Sequence, residues 1–462
     1  MIPFRVFWDS GIRAWSVLRT TPFDMSTAEG RSKERYRRVA LSATSSVAAK
    51  AVGIVTVLIS VPLTIKYLGT ERFGLWMTIS SITAFLSFAD FGIGGGLLNA
   101  IAEADGRSDR VAARKAFSSA FVFLALVALL ILGCFGAFHS FLPWPRLFKV
   151  TSGLAAQEAG AGVAIFVVCF ALNLPLTTVQ RVQMGFQEGF QSSLWQGAGS
   201  LAGLAGILIV IHLRGGLPWL VLASSGGPLV AGLVNWAVEF GWHRPWLAPR
   251  LQDFDTAVTR QIAASGIIFA ALQLLSFLGS ASDNFVITQL FGVTAVAGYA
   301  VVTKLFSAMF IIQAVIVALW PAFGEALARN EFGAAARMFD RFSTLCTMTG
   351  IAIAICFAAI AKPLIALWVG DALVPRASLI IGFGAWIIVA SLYAPVAALL
   401  STESLLKRQL GIISLAAISA FILKVVLGYF AGVPGVIWGT VIGYGAFFAY
   451  ARRQARVVLQ PR

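Results

Sequence analysis

The chain of 462 residues is 58% hydrophobic and only 12% charged, with a mean hydropathy of +0.85 and a formal net charge of +15. Soluble domains carry about 25% charged residues, so a soluble enzyme of this length is excluded. Intrinsic disorder is excluded as well, because low hydrophobicity is its signature. Long unbroken apolar runs, in place of strict alternation, exclude a transmembrane barrel and leave an all-α polytopic membrane protein.

Residues 1–38 form a basic N-terminal tail without the h-region of a secretory signal. Phe4, Trp8, Ile12, Trp15 and Leu18 recur at helical spacing beside Arg5, Arg13 and Arg19. That pattern fits either a helix lying on the membrane surface or a disordered tail, and the segment is an upstream extension if Met25 is the start. Beyond it come about twelve apolar runs, each long enough to span ~30 Å. They lie near 39–65, 75–99, 116–138, 159–180, 194–213, 217–238, 261–287, 295–319, 342–361, 377–400, 409–430 and 433–450. The expected organisation is an N-terminal six-helix bundle over 39–240, a cytoplasmic linker over 241–260, a C-terminal six-helix bundle over 261–450 and a cytoplasmic tail over 451–462.

The basic residues support that division. With the N-terminus in the cytoplasm, 25 of the 35 Lys and Arg fall in cytoplasmic segments, seven fall outside and three lie within spans. This is the bias that orients inner-membrane proteins, and it predicts cytoplasmic termini. It also accounts for the positive charge without a nucleic-acid partner. Cys134, Cys169, Cys346 and Cys356 lie in apolar runs and form no C-x-x-C, so they read as inert buried thiols. His139, His212 and His243 lack ligand spacing, and no Gly-Lys dipeptide exists to form a P-loop. No metal, cofactor, catalytic nucleophile or ATPase function is expected of this chain.

Two features suggest internal organisation. The stretch Gly96–Gly106 resembles Gly324–Gly333, and Leu68-Gly69 resembles Phe291-Gly292, at offsets consistent with parallel six-span repeats. Glycines spaced by four at Gly199/Gly203 and at Gly435/Gly439/Gly443 predict close helix approach. Gly92-Ile-Gly-Gly-Gly96 has the look of a phosphate loop, but it ends a span, where packing or helix breaking is the better reading.

Five charged residues fall inside apolar runs: Lys50, Asp90, Asp283, Lys304 and Lys424. Each would cost about 2.5–3.5 kcal/mol at the bilayer centre if it faced lipid. Lys50, Asp90, Asp283 and Lys304 each share a helix face with small or polar residues, and a protein interior or water-filled cavity is expected for all five. Two alternatives stand beside cavity lining: Asp and Lys could pair to pin helices together, or Lys424 could snorkel from near a span end. The excess of lysine over aspartate suggests a cavity that tolerates an anion.

The stretch Tyr67–Gly96, with Asp283-Asn-Phe-Val-Ile, Gly292, Tyr299, Lys304 and Leu319–Ala326, resembles the polysaccharide-biosynthesis membrane proteins. These are the Wzx-type oligosaccharide flippases of the MOP (MATE-like) superfamily. The resemblance implies two six-helix bundles forming a V around a cavity that opens alternately to each side. It implies flipping of undecaprenyl-diphosphate-linked oligosaccharide repeat units across the inner membrane for O-antigen or exopolysaccharide synthesis. A polysaccharide polymerase and a chain-length regulator would be working partners, alongside membrane lipids. Lys50, Lys304 and Lys424 become candidates for a cationic, substrate-binding cavity, and Asp90 and Asp283 for ion coupling or counter-charge. The competing readings are a MATE-like drug antiporter, which would favour carboxylates over lysines, and a lipid-linked peptidoglycan precursor flippase, which would usually carry two further spans. A membrane scaffold or a glycan polymerase subunit is a more distant alternative; a polymerase would show a large outer loop, and none is present here.

Overall fold

The computed structural model describes residues 28–308, 323, 331–400 and 406–459. The expected surface helix at residues 4–18 lies outside these residues, as does the 319–326 motif apart from Phe323. Every regular element among the described residues is a helix. Nine are long and apolar enough to cross a membrane, or ten when a pair bent by 47° is taken as one span. The chain is therefore an all-α, multi-pass membrane protein.

Two expected boundaries take a different form. The runs at 39–65 and 75–99 merge into α1 (Ala28–Leu86), within which one apolar stretch runs 39 residues from Thr44 to Ile82. At ~1.5 Å per residue that is about twice the ~30 Å of a bilayer core, so the stretch must turn. It does so at Gly69, whose φ of 77° and ψ of 172° are not helical. The second run is itself broken: a 3₁₀ turn at Ser87–Asp90 ends it, and a new helix, α2 (Ile93–Gly106), begins after Gly92. The backbone at Phe91 and Gly92 is left-handed, with φ of 49° and 77°. Glycine adopts that conformation without strain.

The remaining helices are α3 (Arg110–Phe138), α4 (Trp144–Leu147), α5 (Gly153–Gly185), α6 (Gly189–His212), α7 (Leu217–Val238), α8 (Thr256–Ser276), α9 (Asp283–Phe291), α10 (Val293–Ala308), α11 (Phe332–Val369), α12 (Ala377–Leu400), α13 (Leu406–Ala431) and α14 (Val433–Val458). α3 is capped by Asp109, whose carboxylate accepts from the amides of Val111 and Ala112 at 3.1 and 2.9 Å.

The chain divides into two compact units. Unit 1 comprises Met1–Ser60, Asp90–His139 and Ala164–Ile267. Its core packs Ile93, Leu97 and Ile101 of α2 against Phe117 and Leu124 of α3 and Val179 and Val182 of α5. The segment after α7 is folded onto α3 and is not a loose connector. Leu247 is fully buried, Arg114 pairs with Asp253 at 2.9 Å, and the hydroxyls of Ser118 and Ser119 accept from the amides of Arg250 and Asp255. Unit 2 comprises Val61–Ala89, Ser140–Val163 and Ile268–Arg462. A core of Phe323, Phe339, Leu399, Ile412 and Ala451 lies within it.

The four-spaced glycines act as expected. A Cβ on Gly199 would lie 3.0 Å from Cα of Pro228, which brings α6 and α7 into backbone contact. In unit 2, a Cβ on Gly439 would fall onto the backbone of Leu423 and Lys424, and one on Gly443 onto Ala420, so α14 and α13 touch main chain to main chain. Of the cysteines, Cys169 and Cys346 are buried, whereas Cys134 and Cys356 are exposed on their helices, contrary to the expectation that all four are covered.

Gly439→Ala and Gly445→Ala should therefore differ in sign. Alanine gains about 1 kcal/mol over glycine in a helix interior. At Gly445 nothing lies within 4 Å of the new methyl, so thermal unfolding in detergent should be unchanged or raised. At Gly439 overpacking against backbone should cost about 1–3 kcal/mol and lower the midpoint.

Candidate functional site

The most unusual local structure in unit 2 is the break between α8 and α9. A π-helical turn at Phe277–Ala281 follows α8, and Ser282 separates it from α9. Such turns leave carbonyls without their usual partners and recur at functional sites. Here a cation fills the gap. Lys424 of α13 is fully buried, and its Nζ donates to the Gly279 carbonyl at 2.7 Å and lies 3.5 Å from the Ser282 hydroxyl. The same Nζ sits 2.5 Å from Oδ1 of Asp283, the first residue of α9. The Tyr299 hydroxyl of α10 donates to the other carboxylate oxygen.

Aromatic groups close around this pair. Tyr444 of α14 reaches the space that a side chain on Gly279 would occupy. Its ring packs against Trp386 and Tyr393 of α12, with centroids 5.2 and 5.9 Å away, and the Tyr393 hydroxyl donates to the Tyr444 carbonyl at 3.0 Å. Asp283 and Lys424, 141 positions apart, are thus brought together as a buried ion pair. Lys304, on α10, is half-buried and has no ion-pair partner among the described residues.

In unit 1, Lys50 is exposed on α1 and likewise has no ion-pair partner among the described residues. Asp90 ends the broken second run, and its Oδ1 accepts the Gly92 amide at 2.8 Å. Arg181, one residue past the apolar run at 159–180, lies inside α5, which continues to Gly185. A Cβ on Gly94 would stand 2.9 Å from Nε of Arg181 and 3.0 Å from Oδ2 of Asp90, so the two side chains converge over that glycine.

A second polar group escaped the sequence reading because its members lie near run ends. Gln183, Asn235 and Glu239 are fully buried. Gln183 Nε2 donates to Asn235 Oδ1 at 2.7 Å and to Glu239 at 3.3 Å. Arg244 bonds both Glu239 and, at 2.8 Å, Glu188, with its guanidinium 4.4 Å from the Phe186 ring centroid. Burial works to lower the pKa of Arg244, but Glu188 and Glu239 outweigh it and hold the pKa above the ordinary guanidinium value. The i, i+4 spacing of Asn235 and Glu239 at the end of an apolar run was the available signal.

Residues 37–327 match the family model described as polysaccharide biosynthesis protein, more than half of the chain. The chain belongs to this family. A candidate O-antigen transporter of Salmonella typhimurium is 23% identical over 291 residues, which are 60% of this chain and 63% of that relative. Three solved structures share the fold. An inward-facing multidrug resistance MATE family transporter of the MOP superfamily has a TM-score of 0.76 at 14% identity, covering 89% of this chain and 98% of the other. An outward-facing one has 0.64 at 13%, covering 92% and 96%. A MOP superfamily transporter from Pyrococcus furiosus, described as having a binding pocket of reversed polarity, has 0.61 at 13%, covering 92% and 97%. The chain is thus a multi-pass member of the polysaccharide biosynthesis protein family that shares the fold of these transporters.

Removing one member of a buried ion pair strands the other at a cost of about 3–5 kcal/mol. Lys424→Met and Asp283→Asn should each lower the detergent melting temperature and membrane abundance. The double substitution should recover part of the loss; strict additivity in the double-mutant cycle would show that the pair is not coupled.

Proposed function

We propose that this polysaccharide biosynthesis protein flips undecaprenyl-diphosphate-linked oligosaccharide repeat units from the cytoplasmic to the outer leaflet of the inner membrane. The observation that carries the reading is a surplus of cations in apolar helices. Asp283 is spent on Lys424, and Asp90 is shared between the Gly92 amide and the neighbourhood of Arg181. Lys304 and Lys50 have no carboxylate partner among the described residues. An unpaired cation in a spanning helix is costly unless water or an anionic ligand meets it. A lipid diphosphate supplies that anion. The family match and the Salmonella relative's name support a glycan cargo.

In this reading Lys304, Lys50 and Arg181 receive the diphosphate. Lys424 serves the broken span, Asp283 is its counter-charge, and Asp90 is the carboxylate left for ion coupling. The two six-helix bundles at 39–240 and 261–450 would provide alternating access, with cytoplasmic termini set by the basic-residue bias.

In proteoliposomes carrying a fluorescent undecaprenyl-diphosphate oligosaccharide, Lys304→Gln should lower the flipping rate while leaving the melting temperature near that of the parent. Lys304→Arg should retain most of the rate, because the charge is kept. Equal flipping by the Gln variant would remove Lys304 from the site. Export of a cationic dye with no movement of the lipid would replace the flippase reading with a drug antiporter.

Topology is tested separately. Single cysteines at Thr70 and Ala372 should react with an impermeant maleimide added to the outside of cells, and one at Gln454 should react only after permeabilisation. The reverse pattern would invert the proposed orientation.

A further inference from the structure

Two helices of unit 2 overrun their apolar runs at the same end. α11 begins at Phe332, ahead of the run at 342–361, and α14 continues past residue 450 to Val458. At ~1.5 Å per residue these extensions add about 15 and 12 Å to the two spans. Neither extension is loose. Ala335 and Phe339 of α11 share one buried core with Ala451 and Ala455 of α14 and with Leu399 and Ile412. Arg456 Nη2 lies 3.7 Å from Oδ1 of Asp340, which sets the two ends side by side.

The uncovered faces of these helices have a common pattern. In α11, Leu345, Met348 and Ile355 recur at helical spacing and are 56%, 68% and 66% exposed. An uncovered apolar stripe on a spanning helix is a surface for acyl chains. Four and eight residues before Leu345, the same stripe carries Arg341 and Arg337, both exposed. In α14 the exposed stripe of Ile442, Ala446 and Ala449 is prolonged by Arg453 and Arg456, again exposed, with Arg452 at its edge.

The charge on these ends is one-sided. Residues 331–341 and 451–459 contain five arginines against two carboxylates, Glu331 and Asp340. Arg337, Arg341 and Arg453 have no ion-pair partner among the described residues. The Arg456–Asp340 contact joins side chains that are 60% and 62% exposed, where an ion pair contributes little. No lysine is among the five. The planar fork of arginine matches the paired oxygens of a phosphate, which an ammonium does not. The bias that orients a membrane protein requires only positive charge at one end. It does not require that charge to prolong two uncovered apolar stripes, on helices fixed by a buried core.

We propose that the paired ends of α11 and α14 form a binding site for an anionic phospholipid. Arg337, Arg341, Arg453 and Arg456 receive its phosphate, and its acyl chains lie along the two stripes. Basic pockets between spanning helices are where acidic headgroups settle, and apolar stripes that run into the arginines favour a lipid over a free anion. The site requires these ends to lie at a membrane face, whichever face that is, and holds whatever the transported cargo.

The full-length protein, stripped of lipid in neutral detergent, is titrated with phosphatidylglycerol, phosphatidylcholine, undecaprenyl diphosphate or inorganic phosphate and followed by native mass spectrometry. Phosphatidylglycerol should be retained in preference to phosphatidylcholine. Each arginine removed should weaken its binding by about fivefold. Arg337→Gln with Arg341→Gln, and separately Arg453→Gln with Arg456→Gln, should therefore lose most of the preference at an unchanged melting temperature, because all four side chains are exposed. If one pair fails to fold, the other decides. Lys362→Gln with Arg376→Gln, one late in α11 and one just beyond it, should lose none of the preference. Equal retention of phosphatidylglycerol by the parent and the arginine variants would overturn the site. An equal loss in the Lys362 and Arg376 variant would do the same, because net charge alone would then explain the binding. Displacement of the phospholipid by inorganic phosphate, or tighter retention of undecaprenyl diphosphate through the same arginines, would overturn the assigned occupant.

Discussion

A lysine ammonium has three protons to place, and inside a membrane protein each must find an acceptor. Lys424 finds the Asp283 carboxylate, the Gly279 carbonyl and the Ser282 hydroxyl, all within the few residues where one span is broken. The break and the charge each resolve the other's difficulty. The π turn at Phe277–Ala281 leaves Gly279 with an acceptor to fill, and the pair leaves Asp283 at the start of α9, where a carboxylate also meets the helix's positive end. Lys424 can be delivered there because α13 lies directly against α14 at Gly439 and Gly443. The end of α8 and the helices α9, α10, α13 and α14 thus meet around one ion pair and the missing side chains that let it form.

Unit 1 repeats the theme with different parts. Its broken run is held by Asp90, which caps the Gly92 amide, and of the two left-handed residues in its turn, Phe91 and Gly92, only the glycine adopts that conformation freely. Gly94 leaves room for Arg181 to approach the same carboxylate. A fully satisfied network around Glu239 and Arg244 then holds the chain as it leaves α7, and the segment that follows is bonded to α3 through Ser118, Ser119 and Arg114. The connector between sequence halves is thereby part of a folded body.

These arrangements sort the intramembrane charges by use. Lys424 and Asp283 neutralise each other and hold a bent backbone. Lys304 and Lys50 have no such employment among the described residues, which is why the functional proposal falls on them. The proposed transport would need both kinds: charges that are satisfied internally, so that the scaffold is stable, and charges left for a ligand to satisfy, so that binding is favourable.

Composition and apolar run length by themselves determined that this is an all-α, multi-pass membrane protein, because the bilayer leaves no other way to satisfy the backbone of such runs. The motifs at Tyr67–Gly96 and around Asp283 identified the family, and the four-spaced glycines foretold close helix contacts, since spacing on one helix is a local property. Five costly charges were visible for the same reason. What each charge does was decided by tertiary structure. Nothing local to Lys424 distinguishes a cavity lysine from a snorkelling one or from half of an ion pair; the distinction lies in Asp283, 141 residues away. Arg181, one residue past its apolar run, comes to face Asp90 only because α5 continues beyond it. The pairing of Thr78 with Thr288 had no sequence signal, because two threonines announce a contact only when the fold places their hydroxyls 2.9 Å apart.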